Sequence, residues 1–280
     1  MSNIYLGPVC LENPFILAPM AGITDSPFRR VVRKRGCGMV LSPLISANAI
    51  KHGNQKTSAL LDFAQEERPL GIQIFGSDSS LLCQAAAYAE FRGADFIDLN
   101  LGCSVPKVSG KGAGSALCRD LFSLEHLLRE LVACVKVPVS IKIRLGWDER
   151  SRNAVEVVKM AADVGVQWAA IHGRTSEQLY SGKADWESIA RIKEKSPIPI
   201  LGNGDLTTPE LALDRLRKYG VDAIMIGRGA LHNPFIFKQT LSLWRGEEYQ
   251  EASCEEYLEL IREPSKNSSP TNPSNGPCLI

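Results

Sequence analysis

The sequence lacks the paired cysteines, long apolar runs and charge excess that mark several large classes of protein. Its eight cysteines are scattered with no C-x-x-C pair, which argues against a zinc site or a disulfide framework and favours a reducing cytoplasm. The longest apolar stretches are only as long as a strand, so no segment is predicted to span a bilayer. The N-terminus shows none of the basic and apolar regions of a signal peptide. A net charge of +1 does not by itself indicate a nucleic-acid binder.

Short apolar runs alternate along the chain with helical stretches. With 280 residues, of which 44% are hydrophobic, the chain can bury a large core. The alternation requires parallel strand pairing with crossover helices, so we predict an α/β fold. Eight units of this size fit a (β/α)₈ TIM barrel, and a doubly wound sheet is the weaker alternative. The predicted strands are 15–19, 39–43, 70–75, 95–99, 138–143, 168–172, 198–202 and 222–226.

The pattern changes after Phe237. Residues 238–262 predict helix, and a segment rich in proline, serine and asparagine follows at 264–280. Its few apolar residues cannot offset the entropy of ordering it, so we expect that tail to be disordered. We therefore divide the chain into a barrel over 1–240, a short helical segment over 241–263 and the tail.

A thiol follows one predicted strand at its carboxyl end, where barrel enzymes gather their reactive groups. The run Asn100-Leu101-Gly102-Cys103 comes directly after the strand at 95–99. Other polar or glycine-containing segments end strands in the same way, so we predict an active site at this end. They are Pro19-Met20-Ala21-Gly22, Gln73-Ile74-Phe75-Gly76, Lys142, His172-Gly173-Arg174-Thr175, Gly202-Asn203-Gly204-Asp205 and Gly227-Arg228-Gly229.

Two of these segments favour a phosphate site. Gly202–Asp205 ends the seventh strand and Gly227–Gly229 the eighth, and barrel enzymes often bind a phosphate between those two loops. Glycines alone can simply turn the chain, but Arg228 adds a fixed positive charge. Lys142 interrupts an otherwise apolar strand and must find an anion, because burying it unpaired is costly. A salt bridge from Lys142 to Asp98 is the alternative.

With Thr24-Asp25, these motifs resemble the signature of the tRNA-dihydrouridine synthases, most closely the bacterial B-type branch, over residues 1–245. The resemblance implies a flavoenzyme that uses FMN and NADPH or NADH to reduce the C5–C6 bond of uridines in tRNA. It also implies a further helical domain that helps to hold tRNA, of which we expect residues 241–263 to be the beginning. We expect a cytoplasmic monomer that binds neither metal nor membrane.

The resemblance also implies roles for individual residues. Cys103 would be the proton donor, since an ordinary thiol is mostly protonated at neutral pH. His172 alone is more often structural, and we do not assign it as the acid; Arg174 would lie near phosphate or RNA. Most relatives carry proline after the cysteine, whereas this chain has Ser104. The residues implied to contact cofactor are Pro19, Met20, Ala21, Gln73, Asn100, Lys142, His172, Asn203, Gly204, Asp205, Gly227 and Arg228.

RNA contacts are predicted from two groups of basic residues, although a solvated helix face is the commoner meaning of such a charge run. They are Arg29, Arg30, Arg33, Lys34 and Arg35 after the first strand, and Lys107 and Lys111 beside the cysteine loop. Two other functions stay open. One is an FMN barrel acting on a free pyrimidine, as in dihydroorotate dehydrogenases, and the other is an RNA-binding relative with impaired turnover.

Overall fold

The computed structural model describes residues 4–52 and 55–266. The chain begins with an antiparallel hairpin of β1 (Ile4–Leu6) and β2 (Val9–Leu11). Leu6 and Leu11 are fully buried and belong to the same apolar cluster as side chains of the barrel interior. The hairpin therefore covers the amino-terminal end of the barrel, and the opposite end is left for function.

The predicted barrel is confirmed. Over the described residues, eight parallel strands pair in sequence order, and a parallel bridge between Ile16 and Met39 joins the first strand to the second. A short strand β5 (Ile45–Ser46) pairs with the same neighbour as the second strand. The eight strands are β3 (Phe15–Leu17), β4 (Val40–Leu41), β6 (Leu70–Phe75), β7 (Phe96–Leu101), β8 (Val139–Arg144), β9 (Trp168–His172), β10 (Ile200–Asn203) and β11 (Ala223–Ile226).

Helices follow the strands along the chain. Asp25, Asp78 and Asp120 each cap a helix by accepting a hydrogen bond from a backbone N–H in its first turn. The helices are α1 (Ser26–Lys34), α2 (Ala47–Lys51), α3 (Gln55–Leu60), α4 (Ser79–Phe91), α5 (Pro106–Ser109), α6 (Leu121–Ala133), α7 (Ala154–Asp163), α8 (Trp186–Lys195), α9 (Pro209–Tyr219), α10 (Arg228–His232), α11 (Ile236–Arg245) and α12 (Cys254–Lys266). Of these, α4, α6, α7, α8 and α9 bury apolar residues in the core around the sheet. None of the described helices is long and apolar enough to cross a membrane.

The C-terminal region differs in detail from the prediction of one helix over 238–262. The structure has two helices there, because Gly246 ends α11 in the left-handed conformation, with φ +82°. Residues up to Tyr249 form one compact unit, and those from Gln250 form a second. Helix α12 continues to Lys266, so 264–266 are helical. The rest of the predicted disordered tail, 267–280, lies outside the described residues.

The interior-facing residues of β7 change from apolar to polar along the strand. Its alternate residues Phe96, Asp98 and Asn100 follow one another along one face of the strand. Phe96 packs edge-on against Trp168, with ring centroids 4.9 Å apart, in the cluster that also contains the hairpin leucines. Asp98 and Asn100 join hydrogen bonds between strands, so the polar groups collect toward the carboxyl ends.

Candidate active site

A cavity of about 580 Å³ opens at the carboxyl ends of the strands. This volume lies within the range of ordinary small-molecule sites, roughly 300–1,000 Å³. Every residue predicted from the sequence to act in catalysis or to contact a cofactor lines this one cavity. They are Cys103, Pro19, Met20, Ala21, Gln73, Asn100, Lys142, His172, Asn203, Gly204, Asp205, Gly227 and Arg228.

The loop that carries Cys103 is held from both sides. Asn100 Oδ1 accepts the backbone N–H groups of Gly102 at 3.2 Å and of Cys103 at 2.9 Å. The Cys103 carbonyl in turn accepts the backbone N–H and the hydroxyl of Ser115, each at 3.0 Å. Because both the N–H and the carbonyl of Cys103 are bonded, its side chain extends into the cavity from a fixed backbone.

Lys142 reaches an amide rather than a carboxylate. Its Nζ donates to Asn203 Oδ1 at 3.0 Å, and Asn203 Nδ2 donates to the Met225 carbonyl at 2.6 Å. No ion pair found among the described residues involves Lys142. Burial and the nearby Arg144 lower the pKa of Lys142 to about 8, although Asp98 opposes the shift. The lysine thus leaves a positive charge at the cavity surface, and the predicted alternative of a salt bridge to Asp98 does not form.

His172 is neutral at physiological pH. Burial, and the positive charges of Lys142, Arg144, Arg174 and Arg228, lower its pKa to about 2. Its Nε2 lies 3.3 Å from Nη1 of Arg174. An arginine can only donate, so Nε2 accepts and the ring proton sits on Nδ1. An imidazole held in this form cannot deliver a proton as an imidazolium, which agrees with not assigning it as the acid.

Arg174 is buried and bonded to protein groups, so its expected place near phosphate or RNA stays a prediction. Its side chain is only 2% exposed and donates to the carbonyls of Ser181 and Gly182 at 3.0 and 2.8 Å. It also forms an ion pair with Asp205 Oδ2 at 2.8 Å. The sequence could not reveal this, because the acceptors belong to a loop whose path no local pattern specifies.

The loop after β10 owes its shape to two residues with positive φ. Gly204 has φ +132° and Asp205 has φ +54°. A Cβ on Gly204 would lie 2.6 Å from Cβ of Ala184, so only glycine fits there. The Asp205 carboxylate accepts from Arg174, from the Ala184 N–H at 2.8 Å and from Arg228 at 3.3 Å. Asp205 therefore ties the loop to its neighbours through its side chain.

The sequence reasoning missed three residues at the cavity mouth: Arg144, Leu179 and Tyr180. Arg144 donates to the carbonyls of Gly102, Thr175 and Leu179 at 2.8–3.0 Å. Leu179 takes up a left-handed backbone with φ +51°, uncommon for a leucine. Tyr180 is 61% exposed and lies under the Arg228 guanidinium, 4.6 Å from it. Arg144 could have been found, since it follows Lys142 by two residues on one strand; nothing in the sequence marked the other two.

The basic cluster of α1 contributes less free charge than its sequence suggests. Arg29 is only 1% exposed and pairs with the buried Glu67 at 2.6 Å. Arg33 donates to the carbonyls of Cys37 and Arg68. Arg30 forms a more exposed pair with Glu66 at 2.7 Å. The prediction that Arg29 contacts RNA phosphates was wrong, because its guanidinium is buried in the pair with Glu67. A local sequence pattern could not show this, since Glu67 lies 38 residues further along the chain.

Comparison with known proteins identifies the family of this chain. The family model described as dihydrouridine synthase (Dus) matches residues 16–269. The chain belongs to the dihydrouridine synthase family. The tRNA-dihydrouridine synthase B of Pseudomonas aeruginosa is 44% identical over 239 residues, covering 85% of this chain and 72% of the relative. The protein of the same name from Shewanella oneidensis is 41% identical over 84% of this chain and 73% of the relative. The predicted resemblance to the B-type branch of this enzyme family is confirmed.

Solved structures share the fold at low sequence identity. A 2-naphthoyl-CoA reductase aligns with a TM-score of 0.67 at 13% identity, over 88% of this chain and 52% of that protein. Histamine dehydrogenase from Rhizobium sp. 4-9 aligns with a TM-score of 0.64 at 14% identity, over 88% of this chain and 47% of that one. This chain spans about half the length of these proteins, and the likeness shows the barrel alone.

Proposed function

We propose that this protein is an FMN-dependent tRNA-dihydrouridine synthase that reduces the C5–C6 bond of specific uridines in tRNA, with NADPH or NADH as reductant. The observation that carries the proposal is the meeting of a thiol, Cys103, and a half-buried ammonium, Lys142, in one cavity of a chain from this family. The family match favours the tRNA enzyme over the alternative that acts on a free pyrimidine. We place its activity in the cytoplasm, where tRNA is modified, and expect a monomer.

The residues of the cavity fit a flavin mononucleotide. The Lys142 ammonium has an amide as its partner and no carboxylate, so it can still balance an anion. The Gln73 amide can both donate and accept, as the pyrimidine edge of a flavin requires. Asn203, Gly204 and Gly227 would hold the phosphate beside Arg228, whose guanidinium is 53% exposed. Bound FMN would supply the hydride chemistry of the reaction.

The protein supplies the proton and the environment for it. The base must leave its stack to reach such a cavity. Cys103 would then donate the thiol proton to C5 of uracil, from a loop fixed by Asn100 and Ser115. Lys142 would hold a positive charge near the cofactor, and Asn100 would use its remaining amide hydrogen toward substrate or cofactor. His172, neutral and held by Arg174, would shape the cavity wall without giving up a proton.

We also propose that residues 241–263 start a helical domain that holds tRNA. The second compact unit contains α12, where Tyr257 and Leu258 are 41% and 50% exposed. Exposed apolar side chains of this kind are available to pack against further structure or RNA.

Two measurements test the function. Purified protein should be yellow and release FMN rather than FAD on denaturation, identified by chromatography of the supernatant. Incubated with NADPH and tRNA from cells that lack the gene, it should form dihydrouridine, detected by nucleoside mass spectrometry. Protein that cannot be reconstituted with FMN would overturn the cofactor assignment. A flavoprotein that reduces orotate or a free pyrimidine but leaves tRNA unchanged would favour the alternative enzyme.

Replacing Arg228 by alanine should weaken FMN retention by about tenfold or more, the usual loss for a hydrogen bond to a charged group. The measurement is FMN released during dialysis against increasing dilution. Arg217→Ala is the matched control, because Arg217 is also exposed but lies on α9 outside the cavity. Equal retention by the two variants would remove Arg228 from the phosphate site.

The lowered pKa of Lys142 predicts that reduction of the bound flavin depends on pH. Because its pKa is lowered to about 8, its ammonium is present below that pH and lost as the pH rises through it. An ammonium stabilises the negative charge of a reduced flavin. At pH 7 the equilibrium constant for reduction of the bound flavin should therefore be about ten- to a hundredfold larger in the parent than in Lys142→Met. That difference should shrink above pH 8 in dye-coupled titrations. A difference that is constant from pH 6 to 10 would contradict it.

A further inference from the structure

A line of hydrogen bonds runs through the barrel interior from a buried carboxylate to the loop that carries Cys103. Gln73 Nε2 donates to Asp98 Oδ2 at 2.7 Å, and Asn100 Nδ2 donates to Gln73 Oε1 at 3.0 Å. Asn100 Oδ1 then accepts the N–H of Cys103 at 2.9 Å. Two side chains, Gln73 from β6 and Asn100 from β7, thus connect Asp98 to the backbone N–H of Cys103.

The direction of every bond in this line follows from the carboxylate. An ionised carboxylate can only accept, so the Gln73 amide must turn its NH₂ toward Asp98. Its carbonyl oxygen then faces Asn100, which must donate, and the Asn100 oxygen is left to face the loop. Ser140 occupies the other oxygen of Asp98 through its hydroxyl, at 2.6 Å. Asp98 therefore has no hydrogen-bonding alternative that would let Gln73 turn over.

Burial makes this constraint strong. Asp98 and Gln73 are each only 1% exposed, so water cannot substitute for a lost partner. Burial raises the pKa of Asp98 to about 6, while the bonds from Gln73 and Ser140 and the charge of Lys142 oppose the shift. The group is thus still mainly ionised at neutral pH, in the state that can only accept.

We propose that Asp98 is a positioning residue that fixes the orientation of the Gln73 and Asn100 amides and thereby the Cys103 loop. It acts through the two amides and touches neither substrate nor cofactor. The inference rests on the proposed function only in that Cys103 is the proton donor. The orientation of the loop itself can be measured without turnover.

The test replaces Asp98 by asparagine, which has the same shape but can also donate. The introduced amide can stabilise a Gln73 side chain that has turned over, whose NH₂ then competes with the loop for the Asn100 oxygen. We expect Asp98→Asn to lower kcat for dihydrouridine formation about tenfold with the KM for tRNA unchanged. The rate at which iodoacetamide alkylates Cys103, measured by peptide mass spectrometry, should rise several-fold relative to the rate for the exposed Cys10.

Two further variants make the test specific. Ser140→Ala removes a bond to the same carboxylate without freeing Gln73, and should change either measurement less than twofold. In an Asn100→Ala background, Asp98→Asn should have no additional effect, because its influence passes through Asn100. If Asp98→Asn does not fold, Gln73→Leu breaks the same line of hydrogen bonds. It should raise the rate of Cys103 alkylation as Asp98→Asn would, and it should have no additional effect in the Asn100→Ala background.

The outcomes separate the two hypotheses. Additive losses in the double variant, or equal effects of Ser140→Ala and Asp98→Asn, would show that Asp98 is merely structural and overturn the positioning role. A protein that forms no dihydrouridine but shows the predicted pattern of alkylation would leave the positioning role standing and refute the proposed function.

Discussion

Replacing Cys103 by alanine should reduce dihydrouridine formation by about two to four orders of magnitude, the span that general acids usually contribute. FMN content and the rate of flavin reduction by NADPH should stay close to those of the parent. The reason is geometric: the Cys103 backbone is held by Asn100 and Ser115, so alanine removes the thiol and leaves the loop in place. Single-turnover mixing of reduced enzyme with tRNA measures the affected step directly.

Cys10→Ala is the matched control for that experiment. Cys10 is an exposed free thiol on the opposite, hairpin end of the barrel, and its loss should change no kinetic parameter. If Cys103→Ala turned over tRNA like the parent, another group would be the acid. If flavin content fell together with turnover, Cys103 would instead be part of the cofactor site.

The sequence predicted the location of the site because strand ends are local features. Apolar runs such as 95–99 and 168–172 can be recognised without knowledge of the fold, and a parallel barrel brings all their carboxyl ends together. Once the barrel is predicted, Cys103 and His172 must line the same mouth. Distant segments need not be paired individually, which is why all the predicted site residues line one cavity.

Partner choice could not be predicted in the same way. The predicted alternative of a salt bridge from Lys142 to Asp98 is replaced by a bond to the Asn203 amide, and Arg174 is buried against Asp205. Each outcome depends on which side chains meet across the barrel or in an irregular loop. Alternation along a strand predicts which way a side chain points. Its hydrogen-bond partner depends on the residues that other strands and irregular loops place beside it.

Arg29 illustrates the largest difference between the sequence pattern and the packed structure. In the sequence it is one of several adjacent basic residues, but its guanidinium is buried and satisfied by protein groups. Nε donates to Glu67 at 2.6 Å and Nη1 donates to the Thr24 carbonyl at 2.7 Å. Glu67 also accepts from Ser26 and from the backbone of Ala64, so the pair joins α1 to the turn before β6.

Arg29→Met should therefore lower the free energy of unfolding by about 3–5 kcal/mol, because removing one partner leaves a buried carboxylate without its counter-charge. Arg30→Met is the matched control on the same helix: its pair with Glu66 is 23% and 45% exposed, and such pairs contribute at most about 1 kcal/mol. Urea denaturation at pH 7 measures both. If the cluster binds RNA, tRNA affinity should fall and its salt slope should decrease in Arg30→Met, while folded Arg29→Met keeps the parent slope. Equal losses of stability in the two variants would show that the Arg29–Glu67 pair contributes no more to the free energy of unfolding than the exposed pair does.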